Sequence, residues 1–373
     1  MGQGQSSWRE RLDAFFLHRD GGRFTAMDGL RGWALVMIFN VHFFGFYEAR
    51  HYFLAEGSLA HRLVSMINAG HPGVDLFFVL SGFLIYTTIQ RKNPTFWRFL
   101  GNRWWRLFPV ILVVNIPLVA VLAKDVPTAI DNLLLLGLFP GTEYINVVEW
   151  ALTYQLYFYL LAGFWLVVLA RWPLSQGWGF YWLLALALYS QHFTGLFGPT
   201  AVPRFMSLIW GLGLAKLFHT PDLWRRLAPR LAWAWLPALA LFYAARWYWT
   251  YQAAAIVHTP WKWAAYFSTV DLCFLLIVAS LLSGLSRLQG LLNLRPMRML
   301  GTVSYSAFLI HGVWGITLAE LVVRPLGPGL GVLGLHYLLS WLITLATAAL
   351  LFHFLEKPYY RVPQVGGVPP AGR

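Results

Sequence analysis

Charged residues make up only 12% of this 373-residue chain, about half the roughly 25% of an ordinary soluble domain. That scarcity excludes a disordered segment, which needs charge in place of apolar residues. Cysteine occurs once, as Cys273 inside an apolar run, so neither an intramolecular disulfide nor a cysteine-based metal site is available. The plain reading of Cys273 is a small buried apolar residue. Acids are scarcer than bases, 15 against 28, for a net charge of +13. In a soluble protein that excess points to nucleic acid. Here the basic residues are spread over short loops between apolar runs, so membrane topology and anionic lipid headgroups explain them and nucleic acid is not an expected partner. Residues 1–23 lack an uninterrupted apolar core and a small-residue cleavage site, so a cleavable signal peptide is not expected. Trp8 to Arg19 fits an interfacial helix and a disordered tail equally well. Long loops are also missing, which leaves no room for a soluble domain between the runs.

What remains is apolar and aromatic. Hydrophobic residues reach 58%, with 20 Trp, 28 Phe and 17 Tyr, and mean hydropathy is +0.56. A bilayer-crossing helix needs about 17–25 apolar residues. Ten such runs stand near 31–47, 73–90, 105–123, 148–170, 179–196, 204–219, 231–250, 263–284, 302–322 and 333–355. The run 131–139 is too short and reads as a re-entrant or surface helix. With the N-terminus placed in the cytoplasm, 21 of the 28 basic residues fall on the inner side and 7 outside, Arg246 among the latter. That bias supports ten spans with both termini cytoplasmic. The expected fold is an all-α polytopic membrane bundle. Its parts are an N-terminal cytoplasmic segment (1–24), a transmembrane domain (25–361) and a cytoplasmic tail (362–373).

Ionisable groups inside a span are costly and therefore point to function. Arg31 and His42 in the first run are eleven residues apart, which at about 100° per residue puts them within about 20° of one face. The rise between them is about 16 Å, so Arg31 stands at the rim and His42 deep. An imidazole titrates near working pH and suits a general base, although a histidine merely satisfied by a neighbouring helix fits as well. In the second run, Asp75 is placed to orient an imidazole, to bind a hydroxyl-rich substrate, or simply to favour a helix start. Ser81 lies about 9 Å further in, as a packing residue or a hydrogen-bond donor. Arg103 and Arg106 are three apart in RWWRLFP, on one helix face beside Trp104 and Trp105. Two guanidiniums beside indoles suit a phosphate-bearing ligand with a flat ring, and the positive-inside signal with an aromatic belt accounts for them too. Glu149 sits at the outer boundary of the fourth run, Gln155 one to two turns inside, and His311 near the middle of the ninth.

Taken together these segments resemble the acyltransferase-3 family of integral membrane acyltransferases. The resemblance rests on MDGLRGWALVMIFNVH, VDLFFVLSGFLI, RWWRLFP, WALTYQLYFYL, GTVSYSAFLIH and EKPYYR in order, over about residues 25–361. It implies transfer of an acyl group, often acetyl, from acyl-CoA to a hydroxyl of a sugar, glycolipid or polyketide-like acceptor, with no metal. It carries Arg31 and His42 onto the family's arginine and histidine, and Arg103 and Arg106 onto its paired arginines near the donor. His42 is then the expected base, Asp75 or Gln155 an orienting group, and Ser81, His311 or Arg31 the oxyanion donor. One position departs: Gln155 stands where relatives usually carry Glu, and glutamine cannot accept a proton as a base. Glu149 taking over part of that role is one outcome, a non-catalytic relative binding glycan or CoA another. A small-molecule or glycolipid transporter is the reading from a different class. The composition and the preference for Arg over Lys fit a bacterial inner membrane.

Overall fold

The computed structural model describes residues 16, 25–51, 58–59, 72–123, 125–137, 143–194, 201–257, 259–327 and 329–358. The N-terminal segment other than Phe16, the residues Tyr359 to Arg361 and the tail lie outside the described residues. No strand occurs among those described. The helices, in chain order, are α1 (Thr25–His51), α2 (Gly73–Lys92), α3 (Phe96–Leu122), α4 (Val126–Leu134), α5 (Trp150–Gly163), α6 (Trp178–Thr194), α7 (Ala201–Phe218), α8 (Pro221–Leu231), α9 (Trp235–Val257), α10 (Pro260–Leu282), α11 (Leu288–Leu292), α12 (Arg295–Thr302), α13 (Ser304–Ile310), α14 (Leu318–Val323) and α15 (Leu330–Leu351). Wider π-helical turns continue α5 (Phe164–Val168), join α13 to α14 (His311–Thr317) and extend α15 (Phe352–Glu356).

Among the described residues, six helical stretches are long and apolar enough to cross a membrane: Gly73–Lys92, Phe96–Leu122, Val147–Arg171, Pro260–Leu282, Ser304–Leu326 and Leu330–Glu356. The other four apolar runs are not among these six. Helix α1 carries Asp28 and Arg31. In α6 and α7 the described apolar stretches are Trp178–Ser190 and Phe205–Phe218. Helix α9 follows the exposed, arginine-bearing α8 across a 70° bend.

The distribution of side chains is that of a protein dissolved in lipid. On α15 the buried residues are His336, Ser340, Thr344 and Ala348, one stripe at intervals of four. Leu335, Leu338, Leu342 and Leu350 point outward. A water-soluble helix hides its leucines and shows its hydroxyls; the reverse arrangement lets lipid solvate the leucines and the bundle solvate the polar groups. Close helix contacts are made at small residues. A Cβ on Gly82 of α2 would collide with the Leu208 carbonyl of α7, and one on Gly211 with the Val79 carbonyl, so this pair approaches backbone to backbone.

The helix starts and ends sort the charge. The start of α1 and the ends of α2, α7 and α10 gather at one end with Arg91, Lys92, Arg98, Arg103 and Lys216. This is the basic end of the bundle. The 131–139 run does not cross. Its described part closes the short helix α4, whose Asn132 is buried and donates from Nδ2 to the Thr128 and Glu143 carbonyls (2.9 and 2.8 Å). Asn132 Oδ1 accepts from the Ile145 amide at 2.8 Å, and its backbone carbonyl accepts from Asn115 Nδ2 of α3 at 3.1 Å. The Asn132 side chain thus ties α4 to residues 143–145, and the Asn115 side chain ties α4 to α3.

Candidate active site

Helix α1 presents Arg31 near the basic end and His42 eleven residues on. Arg31 Nη1 donates to Asp28 Oδ1 at 2.9 Å, one turn earlier on the same helix. Around His42 the packing is aromatic: Phe39 stacks on Trp341 of α15 at 3.9 Å between centroids, and Tyr337 donates to Asn40 Oδ1 at 2.8 Å. These contacts fix the rotation of α1, and with it the face on which His42 stands.

His42 meets His311, the first residue of the π-helical turn after α13. His311 Nε2 lies 2.8 Å from His42 Nδ1, and His311 Nδ1 lies 2.6 Å from the Phe308 carbonyl. A carbonyl can only accept, so His311 carries its proton on Nδ1. A neutral His311 therefore accepts at Nε2, and His42 donates from Nδ1. The Ile38 carbonyl, one turn back on α1, is also within reach of the His42 ring and reinforces a proton on Nδ1, the nitrogen nearer the backbone. A neutral His42 then holds its lone pair on Nε2. The π-helical turn begins at His311 itself, and such turns recur at functional sites. Next to His42 is a cavity of about 30 Å³ lined by Ile38, Val41, Val74, Val148, Trp150 and Phe308, enough for a water molecule.

Ser81 follows Val74 by seven residues, two turns along the same stripe of α2, which puts it about 10 Å nearer the basic end. Glu149 is fully buried within the bundle, with the side chains of Asn115 and Asn146 against its carboxyl. Asn146 Nδ2 donates to the Leu309 carbonyl at 3.0 Å, beside Phe308, which ties the Glu149 turn to the segment that carries His311. Gln155 is buried one and a half turns further along α5.

Asp75 leads elsewhere. Its Oδ1 accepts from Ser207 of α7 at 3.4 Å, and the same hydroxyl lies 2.7 Å from Asp271 Oδ1 of α10. Arg246 of α9, 2% exposed, donates to Tyr266 at 2.5 Å, and its charge acts on Asp75. The imidazole against His42 is that of His311, while Asp75 belongs to a buried polar group with Ser207 and Asp271. Arg246, counted on the outer side, is buried within the bundle, with Tyr266 as its acceptor and Asp75 as a nearby counter-charge.

At the basic end, the Arg103 guanidinium lies 5.5 Å from the Phe99 ring and 5.8 Å from the Tyr159 ring. Trp104 and Trp105 are 44% and 68% exposed, so the indoles expected to flank a bound ring face outward. Sequence reasoning passed over a residue that the tertiary structure puts here. Glu356, 3% exposed, accepts from Ser306 at 2.5 Å, and the charges of Arg106 and Arg31 both act on it. Tyr305, next to Ser306, donates to the Leu107 carbonyl of α3 at 2.8 Å. The sequence signals for Glu356 were its place at the end of a long apolar run and at the head of the EKPYYR segment. A separate cleft of about 700 Å³ opens between α1, α7, α8, α10 and α11. Arg225 and His219 line it, but Arg31, Arg103 and Arg106 do not. Among the described residues no group of three His, Cys, Asp or Glu side chains is arranged to hold a metal ion.

No solved structure matches the chain. The acyltransferase MdmB of Streptomyces mycarofaciens is 26% identical over 172 residues, covering 42% of this chain and 42% of that relative. The chain thus aligns with less than half the length of that protein. The family model of the acyltransferase domain matches residues 24–353, from the turn before Arg31 and His42 through His311 to the end of the last helix, and the chain belongs to this acyltransferase-3 family.

Proposed function

We propose that this chain is a membrane-embedded acyltransferase that moves an acyl group, an acetyl group in the first instance, from acyl-CoA to a hydroxyl of a carbohydrate, glycolipid or polyketide-like acceptor. His42 is the general base. In this reading ten spans cross a bacterial inner membrane with both termini cytoplasmic, so the basic end faces the compartment where acyl-CoA is made.

The observation that carries the reading is the hydrogen-bonded file from the Phe308 carbonyl through His311 to His42 Nδ1. It defines the tautomer a base requires, in the way that orienting partners do in other acyl-transfer sites. Arg31, Arg103 and Arg106 bind the donor's phosphates, for which guanidiniums are suited. The thioester then extends along the face shared by Arg31 and His42. His42 Nε2 removes the acceptor hydroxyl proton as the oxygen attacks the thioester carbonyl. The tetrahedral oxyanion collapses, the carbon–sulfur bond breaks, and the thiolate takes the proton back from the imidazolium. A positioned base contributes about 10²–10⁴-fold. Ser81 and Glu149 line the path, and Glu149 with Gln155 binds the acceptor. Asp75 acts only at a distance, through the placement of α2.

The test is transfer from labelled acetyl-CoA by the purified protein in lipid nanodiscs, with a hydroxyl-bearing acceptor found from the mass shift lost on gene deletion. His42→Ala should lower turnover by about 10² or more; undiminished transfer removes His42 from the chemistry. Gln155 gives a second reading its footing, a relative that binds glycan or CoA without catalysis. Transfer seen only after Gln155→Glu would establish that second reading.

A further inference from the structure

Trp104 and Trp105, the indoles expected beside a bound ring, face outward, so a flat ring needs another aromatic wall. The cleft of about 700 Å³ at the basic end supplies one, and its size is usual for a small-ligand site. Phe218, His219 and Trp224 all line it. The Phe218 ring meets Trp224 edge-to-face at 5.1 Å between centroids and His219 at 5.4 Å, so the three rings are continuous. Helix α11 and its cap add two amides to the same lining, Gln289 and Asn293. They are one turn apart, with the Asn293 backbone amide donating to the Gln289 carbonyl at 2.9 Å, so their side chains are neighbours. Both are held. Gln289 Nε2 donates to the Leu281 carbonyl at 2.9 Å, and Asn293 Oδ1 accepts from Thr25 of α1 at 2.8 Å. Those bonds use one atom of each amide and leave a complementary pair, Gln289 Oε1 as acceptor and Asn293 Nδ2 as donor. Arg225 also lines the cleft, and it already donates to Asp222 at 2.9 Å. Stacking rings, an acceptor beside a donor, and a cation that is already paired suit a neutral flat heterocycle better than a phosphate.

We propose that this cleft seats an adenine ring, that of the acyl donor's adenosine end. Gln289 Oε1 accepts from the 6-amino group, Asn293 Nδ2 donates to a ring nitrogen, and Trp224 stacks on the face. Amide side chains read adenine through this pairing of acceptor and donor, and base–aromatic stacking adds affinity. No bond is made or broken; the cleft anchors the end of the ligand farthest from the thioester. Met27 lines the cleft one turn before Arg31, about 6 Å along α1. A nucleotide seated there has Arg31 within reach of its phosphates, and its thioester arm runs along α1 toward His42. The source of the ring rests on the acyl-CoA reading, whereas the adenine site itself does not.

Three probes separate the two claims: AMP, GMP and CoA, each titrated calorimetrically into the full-length protein in nanodiscs. Trp224→Leu keeps an apolar side chain and removes the ring. It should weaken AMP and CoA by about tenfold, the worth of one stacked base. Asn293→Asp keeps the bond from Thr25 and turns the open donor into a second acceptor. Two acceptors suit the adjacent N–H groups of guanine and not the single amino group of adenine. The ratio of AMP to GMP affinity should therefore fall by about tenfold. An added charge or a loosened fold weakens both nucleotides alike, so the ratio isolates the ring edge. An unchanged ratio overturns the proposal, and it decides alone if Trp224→Leu fails to fold. AMP and CoA that do not bind the wild type, or bind the folded Trp224→Leu variant unchanged, overturn it too. AMP binding with both responses but no CoA binding would support the adenine site, assign it to a free nucleotide and remove the acyl-CoA reading. CoA bound and turned over with no response in either variant would remove the adenine site and leave that reading standing.

Discussion

Replacing His311 with phenylalanine isolates the orienting role from the packing role. His311 is fully buried, so alanine would leave a cavity and confuse lost orientation with lost stability. Phenylalanine fills the space next to Phe39 and Phe308, both already within about 6 Å of the ring (centroids 6.2 and 5.9 Å), but it cannot accept the His42 Nδ1 proton. His42 then loses the 2.8 Å bond that selects its tautomer and ring orientation. Loss of an orienting partner leaves the base present but in the wrong protonation pattern for part of the time. Of the roughly 10²–10⁴-fold that a positioned base supplies, about 10²–10³ should go. That is about 2.7–4.1 kcal/mol of transition-state stabilisation. The assay is steady-state transfer from labelled acetyl-CoA with the identified acceptor. Turnover should fall with little change in KM for the donor, the pattern of an interaction made in the transition state. His311→Gln, which keeps an acceptor oxygen, should retain more activity than His311→Phe. The double variant His42→Ala with His311→Phe should be no worse than His42→Ala alone, since groups that act as a unit are non-additive. Full multiplication of the two losses, or wild-type turnover in His311→Phe, would refute the relay.

Other expectations concern the scaffold. Arg246→Ala leaves the Asp75, Ser207 and Asp271 group without its cation; removing one partner of a buried ion pair costs about 3–5 kcal/mol. A lower thermal midpoint in detergent should show it, with turnover of the folded fraction little changed; an unaltered midpoint would mean the network carries no such weight. Asn132→Ala removes three side-chain hydrogen bonds, two donated and one accepted. At about 1 kcal/mol net each, the 125–149 connection should open more readily, and limited proteolysis should cut there first. Equal cleavage rates in the variant and the wild type would contradict that role.

The family assignment and the helical membrane character were legible in the sequence because both depend on local quantities. Bilayer thickness dictates apolar runs near twenty residues, and helix periodicity alone puts Arg31 and His42 on one stripe. The same arithmetic placed Arg103 and Arg106 together. It could not say what faces that stripe. Asp75 and His311 were both polar groups in apolar runs, and nothing local distinguishes a partner of His42 from a partner of Ser207 and Asp271. The choice is made by the rotation of α1 against α15, where Phe39 stacks on Trp341, and by the placement of His311 at the end of α13. The surroundings of Arg246 and Glu149 were hidden for the same reason. A charge near the end of an apolar run looks interfacial until the countering groups, from helices remote in sequence, are seen to enclose it. The sequence by itself determined that this is a family member built of apolar helices with an arginine and a histidine on one face. Only tertiary structure decided that His311 meets the histidine, because that contact joins residues 269 positions apart and depends on how helices turn toward one another.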